Sequence, residues 1–442
     1  MERYSSYKDS GISWIGEIPE HWETSIFKRL IKYRKVGSWG SEPKTSEIDC
    51  TCLRIADFDY EKFRFQRKAD NTIRSYKLKD LEDRILKEGD ILIEKSGGGE
   101  KTPVGRAILY DLNITNAMYA NFMEKIAPQD NLISKFLVYM LSLMYSKRAI
   151  WNYIKFTTGI QNLNLSSLLS NEKIPLPPLA EQEKIVSYLE DKTSKIDAYV
   201  TDKEKEIELL QELKQKTIAD AVTKGLNPDA KMKEYYSLIS SSCPEHWKIV
   251  RNKSIISLTG EKVGKNASEF VLLSLTTKGV IVRDVESGKG KYPKDFDTYQ
   301  VVKPNELVFC LFDIDETPRT VGLVETEGML TGAYTAFKVH SELAMPKYIY
   351  NYYLCVDNIK ALKPYYSGLR KTVRADKFQQ IYMPLPPLDE QQAIVAYIEE
   401  KCQKIDKLAS ELQSEIDYLK EYKQHLIADC VTGQINVQNE KT

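Results

Sequence analysis

At 442 residues, with 42% hydrophobic and 29% charged side chains, the chain is too long for a single hydrophobic core and too apolar for a disordered one; two or three globular domains are expected. Lys plus Arg equal Asp plus Glu at 63 each, so the formal net charge is zero and composition alone announces no nucleic-acid partner. The seven cysteines are scattered without a CxxC pair, which argues against a disulfide framework and a zinc site; no metal centre is expected.

In chain order, residues 1–22 form an entry segment that starts polar, with no apolar leader, so a cytoplasmic location is expected. Residues 23–173 alternate short β-like runs (Cys52 to Phe58, Ile91 to Glu94, Arg106 to Tyr110) with turn clusters, then a helical stretch near Lys135 to Ile150. Its apolar stretch, Phe136 to Met144, is too short to cross a bilayer and reads as a buried helix. Gly97-Gly98-Gly99-Glu100-Lys101-Thr102 is half of a phosphate-binding loop, but Glu100 stands where the last glycine belongs and Pro103 follows; a loop between strands is expected instead.

Residues 174–230 open on Leu-Pro-Pro-Leu, whose prolines end whatever precedes them, and continue as a helix with acidic Glu181 and Glu183 in its first turn. Residues 231–382 repeat the plan of an entry motif and an α+β domain, with strands expected at Phe270 to Leu275, Glu306 to Phe312 and Thr320 to Glu325, and a helix at Pro346 to Lys360. Residues 383–435 are a second rod and 436–442 a tail. In this rod Ile398, Ile405, Leu412, Leu419 and Leu426 recur every seven residues, with Leu408, Ile416 and Tyr422 on the neighbouring face, as in a coiled-coil seam. The matching positions of the first rod, Leu189, Ile196, Lys203, Leu210 and Thr217, are interrupted by charge, so the two rods are expected to pack mainly on each other.

These likenesses are one internal repeat. Pro175 matches Pro384, 209 positions on, and the register holds without a gap through Gln182/Gln391, Ile196-Asp197/Ile405-Asp406 and Ala219-Asp220/Ala428-Asp429. Pro19-Glu20-His21-Trp22 recurs at Pro244-Glu245-His246-Trp247, 225 positions on; between these anchors only traces survive, such as Val104-Gly105 against Val321-Gly322 and Gly159 against Gly368. Neither rod holds an internal Gly or Pro over about 43 residues, a helix of roughly 65 Å. The expected architecture is α+β: two pseudo-twofold-related domains of mixed α and β structure joined by two long antiparallel-packed coiled-coil helices, the second returning to bring the C-terminus near the entry segment.

Basic side chains interleaved with aromatics and amides are what a DNA surface uses. The candidates are Lys95, Arg106, Lys155 beside Phe156, Gln161, Asn162 and Asn164 in the first domain, and Arg319, Tyr365 beside Tyr366, Arg370, Lys371 and Arg374 in the second. Most surface Lys and Arg are only solvated charge, and loop capping explains any one of the asparagines equally well. His21 and His246 lie near no Cys or Ser in a nucleophile setting, so packing for the tryptophans and capping for the histidines is expected rather than catalysis.

The opening YKDSGISWIGEIPEHWE from Tyr7, the LPPLAEQEKIV and LPPLDEQQAIV blocks at Leu176 and Leu385, and the tandem plan resemble the specificity subunits of type I restriction-modification systems. The resemblance implies a non-catalytic chain whose two target-recognition domains each read half of a split double-stranded DNA target, with the rods setting the gap. It implies a modification subunit, usually present twice, that uses S-adenosylmethionine, and a restriction subunit that uses ATP and Mg²⁺, leaving no cofactor on this chain. It also implies docking of the modification subunit at the Pro-Pro turns and rods, with Pro177, Pro178, Gln182, Pro386, Pro387 and Gln391 as candidates. The sequence agrees by omission: Asn227-Pro228-Asp229 stops short of a methyltransferase motif, and no FxGxG or complete phosphate loop occurs. The competing expectation, on the heptads alone, is a coiled-coil adaptor without DNA specificity.

Overall fold

The computed structural model describes residues 2–43, 47–66, 72–99, 101–157, 159–283, 296, 298–368 and 371–439. The chain divides into two compact units, Met1–Asp202 with Glu415–Thr442, and Lys203–Ser414. Among the described residues no helix is long and apolar enough to cross a membrane.

Both rods are single helices, Leu179–Lys224 and Leu388–Val431. In the first unit Ile185, Tyr188 and Leu189, from the start of the first long helix, share a core with Leu426, Ile427, Cys430 and Val431 from the end of the second. In the second unit Ile218, Ala221 and Val222, from the end of the first, share a core with Ile394, Val395 and Ile398 from the start of the second. The pairing is therefore antiparallel. The second row of the seam lies four residues after each of the expected heptad positions, at Cys402, Ala409, Ile416, Lys423 and Cys430, all buried or half-buried. Leu408 and Tyr422, expected on that face three residues after their heptad positions, are 41% and 44% exposed. A helix of 3.6 residues per turn admits either spacing, and only the partner decides between them.

In each unit the strand that leads into the long helix pairs antiparallel with a strand just after the entry motif. Lys173–Leu176 pairs with Glu23–Ile26, Leu176 opposite Glu23; Tyr382–Leu385 pairs with Lys248–Arg251, Leu385 opposite Lys248. The two offsets of the sequence repeat, 225 and 209, thus meet in the same two-stranded ribbon.

The first variable domain carries a six-stranded mixed sheet in the order Ile31–Val36, Met123–Pro128, Ile91–Glu94, Ala107–Leu109, Arg64–Phe65, Phe58–Asp59. The helix Ser134–Ser146 is apolar nearly all round because it is covered on both sides; Phe136 to Leu141 share one core with Ile91 and Ile93 of the sheet and Leu189 of the long helix. A smaller sheet, Ala117–Tyr119, Ile48–Leu53 and Ile73–Tyr76, closes a second core in which Cys50 and Cys52 are packed as apolar side chains. The run expected as a strand from Cys52 to Phe58 ends at Leu53, because the Asp57 carboxylate accepts the Arg54 backbone N–H at 2.8 Å and curls Ile55–Asp57 into a 3-10 turn.

The second variable domain is built on a four-stranded antiparallel sheet in the order Ile256–Leu258, Thr335–Val339, Glu306–Phe309, Val321–Leu323. The helix Pro346–Asn358 packs on it through Tyr348, Ile349, Tyr352, Tyr353 and Val356. The strand expected from Phe270 to Leu275 occupies Leu273–Thr276, displaced by a 3-10 segment that ends at Glu269.

The end of the second long helix joins the entry segment within the first unit. Tyr7 donates to the Gly433 carbonyl at 2.8 Å, Gln434 Nε2 to the Glu17 carbonyl at 2.8 Å, and the Asn436 N–H to the Glu2 carbonyl at 2.9 Å. Gly433 has φ +71°, and a Cβ there would lie 2.4 Å from Pro19, so the turn that ends this helix requires glycine.

Candidate nucleic-acid interface

Two acidic residues in the first turns of the long helices organise the entry motifs. Glu181 lies with one oxygen 2.6 Å from His21 Nε2 and accepts with the other from Trp22 Nε1 and Tyr4 Oη, each at 3.0 Å. Glu390 lies 2.7 Å from His246 Nε2 and accepts from Trp247 Nε1 at 3.0 Å. Both tryptophans are fully buried. Burial and then the Glu181 charge push the Tyr4 phenol well above its usual value, so it stays a donor. In the sequence Glu181 reads only as a first-turn acid facing the helix dipole; its 209-residue equivalence with Glu390 was the available sign of a shared task.

Gln182 and Gln391 lock the Pro-Pro turns. Gln182 accepts from the Ile133 N–H at 2.9 Å and donates to the carbonyls of Asn131 and Pro177 at 3.0 and 2.9 Å. Gln391 accepts from the Met345 N–H at 2.8 Å and donates to Leu343 and Pro386 at 3.2 and 2.9 Å. Neither amide has solvent exposure, and Pro177 and Pro386 are buried, so of the six candidate docking residues only Pro178 and Pro387 lie on the surface.

The candidate DNA residues of the first domain surround a hairpin, Ile154–Thr157 with Ile160–Leu163, which is joined to Ser96–Gly97 in a three-stranded sheet. Lys155 is exposed opposite Asn162 in this hairpin, and Phe156 is 72% exposed. Asn162 accepts from Ser96 Oγ at 2.7 Å. Gln161 is buried; it accepts from the Val104 N–H at 3.2 Å and donates to the Gly99 carbonyl at 3.1 Å, so its amide faces protein. Asn164 caps the helix Leu165–Asn171 by accepting the Ser167 N–H at 3.1 Å. The Gly97-to-Thr102 loop runs back through Gly99 N–H to the Thr102 carbonyl and is followed by the strand Ala107–Leu109, where a phosphate loop needs a helix N-terminus; Glu100 lies outside the described residues.

Behind the hairpin, two buried glutamates hold the cations. Arg106 forks Glu94 at 3.0 and 2.8 Å and stacks on the Tyr60 ring, 3.7 Å from its centroid, while Tyr60 donates to the same carboxylate. Burial and then the Glu94 charge raise the Tyr60 phenol far above its usual value. Lys95 lies 3.3 Å from Glu124, whose other oxygen is 3.0 Å from Arg34 Nε. The Lys95 N–H donates to the Phe122 carbonyl, which places exposed Phe122 beside the strand that joins the hairpin; exposed Trp39 lines one pocket with Phe122. These two aromatics are far apart in sequence and carry no mutual spacing, so nothing short of the fold could have joined them.

In the second domain Arg319 and Lys360 meet the buried Asp357 at 3.1 and 2.7 Å; Asp357 also accepts from Thr320 N and Oγ1. Lys371 lies 3.0 Å from Glu316 and 3.4 Å from Asp315, whose hydrogen bonds, Glu316 first, hold its ammonium above the usual lysine value. Tyr366 donates to Asp315 at 2.8 Å, and Tyr365 is exposed beside it. Arg374 is exposed and lies 3.1 Å from exposed Asp376. Arg370 lies outside the described residues.

A family model described as type I restriction modification DNA specificity domain matches residues 50–209 and 330–418. Over 430 residues the chain is 23% identical to the putative type I restriction enzyme MjaX specificity subunit of Methanocaldococcus jannaschii, covering 96% of each chain. Over 442 residues it is 24% identical to the MjaVIII specificity subunit of the same organism, covering 96% of this chain and 95% of that one. Its fold is similar to a chain in a solved structure described as the structural basis underlying complex assembly and conformational transition of the type I R-M system, with TM-score 0.68, 14% identity and coverage of 95% and 99%. It is also similar to the HsdS subunit from Thermoanaerobacter tengcongensis, with TM-score 0.50, 14% identity and coverage of 95% and 98%.

Proposed function

The chain belongs to the type I restriction modification DNA specificity family and is a specificity subunit, from which we propose that it reads a split double-stranded DNA target, one half-site per variable domain, without catalysing a step itself. The observation that carries this reading is the duplication of the framework around diverged contents. The Trp-His-Glu cluster and the glutamine-locked turn occur once per unit with nearly the same distances, whereas the candidate DNA residues of the two domains differ. A frame made twice and filled differently suits two readers of different sequences.

In this reading the exposed side chains work in two ways. Lys155 and Arg374 neutralise phosphates and fix register, while Asn162 and the aromatics Phe156 and Tyr365 meet base edges or sugars. Arg106, Lys95 and Arg319 reach DNA only by exchanging carboxylate partners, so they contribute less than their charge suggests. Pro178, Pro387 and the exposed faces of the long helices, including Leu209 and Leu213, receive two modification subunits, which bind S-adenosylmethionine. A restriction subunit carrying ATP and Mg²⁺ joins that complex. With chromosomal DNA as substrate, the complex works in the cytoplasm.

Gel shifts of the chain bound to its modification subunit test this reading. Preference for duplexes carrying both half-sites is expected, and an adaptor without DNA specificity shows none. Removing one matched heptad from each long helix is expected to change the tolerated gap and leave the half-sites unaltered; altered half-sites contradict the assignment of reading to the domains and spacing to the helices.

A further inference from the structure

Each unit places a lysine at a seam position of the helix pair, where an apolar side chain packs best. Lys423 stands in the row of Ile416 and Cys430, and Lys214 in the row of Ile207 and Ala221. Each crosses to an aspartate on the other helix: Lys423 Nζ to Asp197 Oδ1 at 2.5 Å, and Lys214 Nζ to Asp406 Oδ1 at 2.6 Å. The two pairs are the same pair by the 209-residue register, but their surroundings differ. The Lys214 and Asp406 side chains are 34% and 59% exposed, and among the described residues Lys214 bonds Asp406. The Lys423 and Asp197 side chains are 8% and 23% exposed.

What covers Lys423 is the turn between strands Phe58–Asp59 and Arg64–Phe65 of the first variable domain. Lys423 donates to the Glu61 carbonyl at 2.7 Å, and Lys420, one turn earlier on the helix, lies 3.2 Å from the Glu61 carboxylate. Phe63 in this turn has φ +54°, a conformation an aromatic residue adopts only when its surroundings impose it. Its ring meets Tyr139 edge-on at 5.4 Å, and its carbonyl accepts the Leu109 N–H at 3.0 Å. The residue before Glu61 is Tyr60, which donates to Glu94 and carries Arg106 on its ring. One ammonium therefore ties together both long helices and the turn that leads directly to the cation cluster behind the hairpin.

We infer that Lys423 is a positioning residue that seats the first variable domain at one place along the helix pair and thereby fixes the number of base pairs between the half-sites. The inference rests on the split-target reading above. A step of one base pair is about 3.4 Å along DNA, so a small slide of the domain on its support is enough to change the preferred gap. Methionine at the seam keeps an apolar side chain of similar length between the helices and releases the Glu61 carbonyl, while leaving the Asp197 carboxylate without its ammonium. Lys214, whose partner belongs to the helices alone, is the internal control.

The test uses the chain in complex with its modification subunit. Adenine methylation by the wild-type complex defines the target; methyl transfer is then measured on duplexes whose gap is one base pair shorter or longer. The wild type and Lys214→Met are expected to lose about tenfold or more on the altered gaps, corresponding to a discrimination of roughly 1.4 kcal/mol. Lys423→Met is expected to lose less than about threefold, with a lowered melting temperature because Asp197 is left unpaired, and Lys423→Arg to restore discrimination. Lys423→Gln is carried alongside so that a Met variant that fails to fold leaves the question answerable. Wild-type discrimination by whichever of the two folds overturns the inference and leaves the split-target reading intact; an unsplit wild-type target overturns both.

Discussion

In the first variable domain the buried acids beside the candidate DNA residues are Glu94 and Glu124, both on central strands; in the second the corresponding acid is Asp357, near the end of a helix. The acids beneath the entry motifs, by contrast, are Glu181 and Glu390, at one position of the repeat and with the same Trp and His partners. The chemistry of the reading domains is thus solved twice independently, while the chemistry that holds the entry motifs to the long helices is solved once and copied. Residues that hold a geometry cannot change singly, because each satisfies a buried group whose exposure costs free energy. Residues that meet solvent or ligand are free of that restraint.

The largest effect that sharpens this comparison is expected at the tryptophans. Trp22→Ala and Trp247→Ala each remove a fully buried indole and are expected to cost about 3–5 kcal/mol, confined to the unit that holds them. Hydrogen exchange reads this locally: Trp22→Ala should lower protection around residues 4–30 and leave the Trp247 region unchanged. Equal loosening of both regions would break the picture of two separately seated frames. Next come the dissimilar acids, Glu94→Ala and Asp357→Ala, each expected to cost about 2–3 kcal/mol in its own unit because half-buried arginines lose their partner.

Gln182→Ala and Gln391→Ala should each cost about 1–2 kcal/mol, and by nearly equal amounts, since each amide satisfies three backbone groups. Unequal costs measured by the same exchange method would show that the turns are not equivalent supports. Lys155→Ala and Arg374→Ala should leave stability within about 0.5 kcal/mol. Each should also lower the salt slope of DNA binding by about one. An unchanged slope removes that residue from the interface.

The smallest effect concerns the thiols. Burial pushes Cys355 in one unit and Cys430 in the other up to about 12. The thiolate is the reactive form, so alkylation of both in the native protein near neutral pH should be far slower than in the unfolded chain. Because the folded values are raised, these thiols cost no stability below the unfolded thiol range and begin to destabilise the fold as pH rises above it. Rapid native labelling of either would contradict its burial.

The repeat, the long helices, and strands such as Ile91–Glu94 and Glu306–Phe309 were legible because periodicity and internal duplication are written locally. The seam's second row was not, since Leu408 and Ala409 lie on adjoining faces and only the partner helix chooses between them. Nor was the pairing of Arg106 with Glu94 or Gln161 with the Gly99 loop, because these depend on which strands become neighbours. Asn164 was readable either as a base-contacting amide or as a loop cap, and it instead caps a helix, whose start the sequence did not mark.

The most direct measurement is an exchange of residues 23–173 for the corresponding domain of another specificity subunit, followed by sequencing of methylated adenines across a genome with the modification subunit present. One half of the target is expected to change while the other half stays as it was. A change in both halves, or in neither, would contradict this expectation.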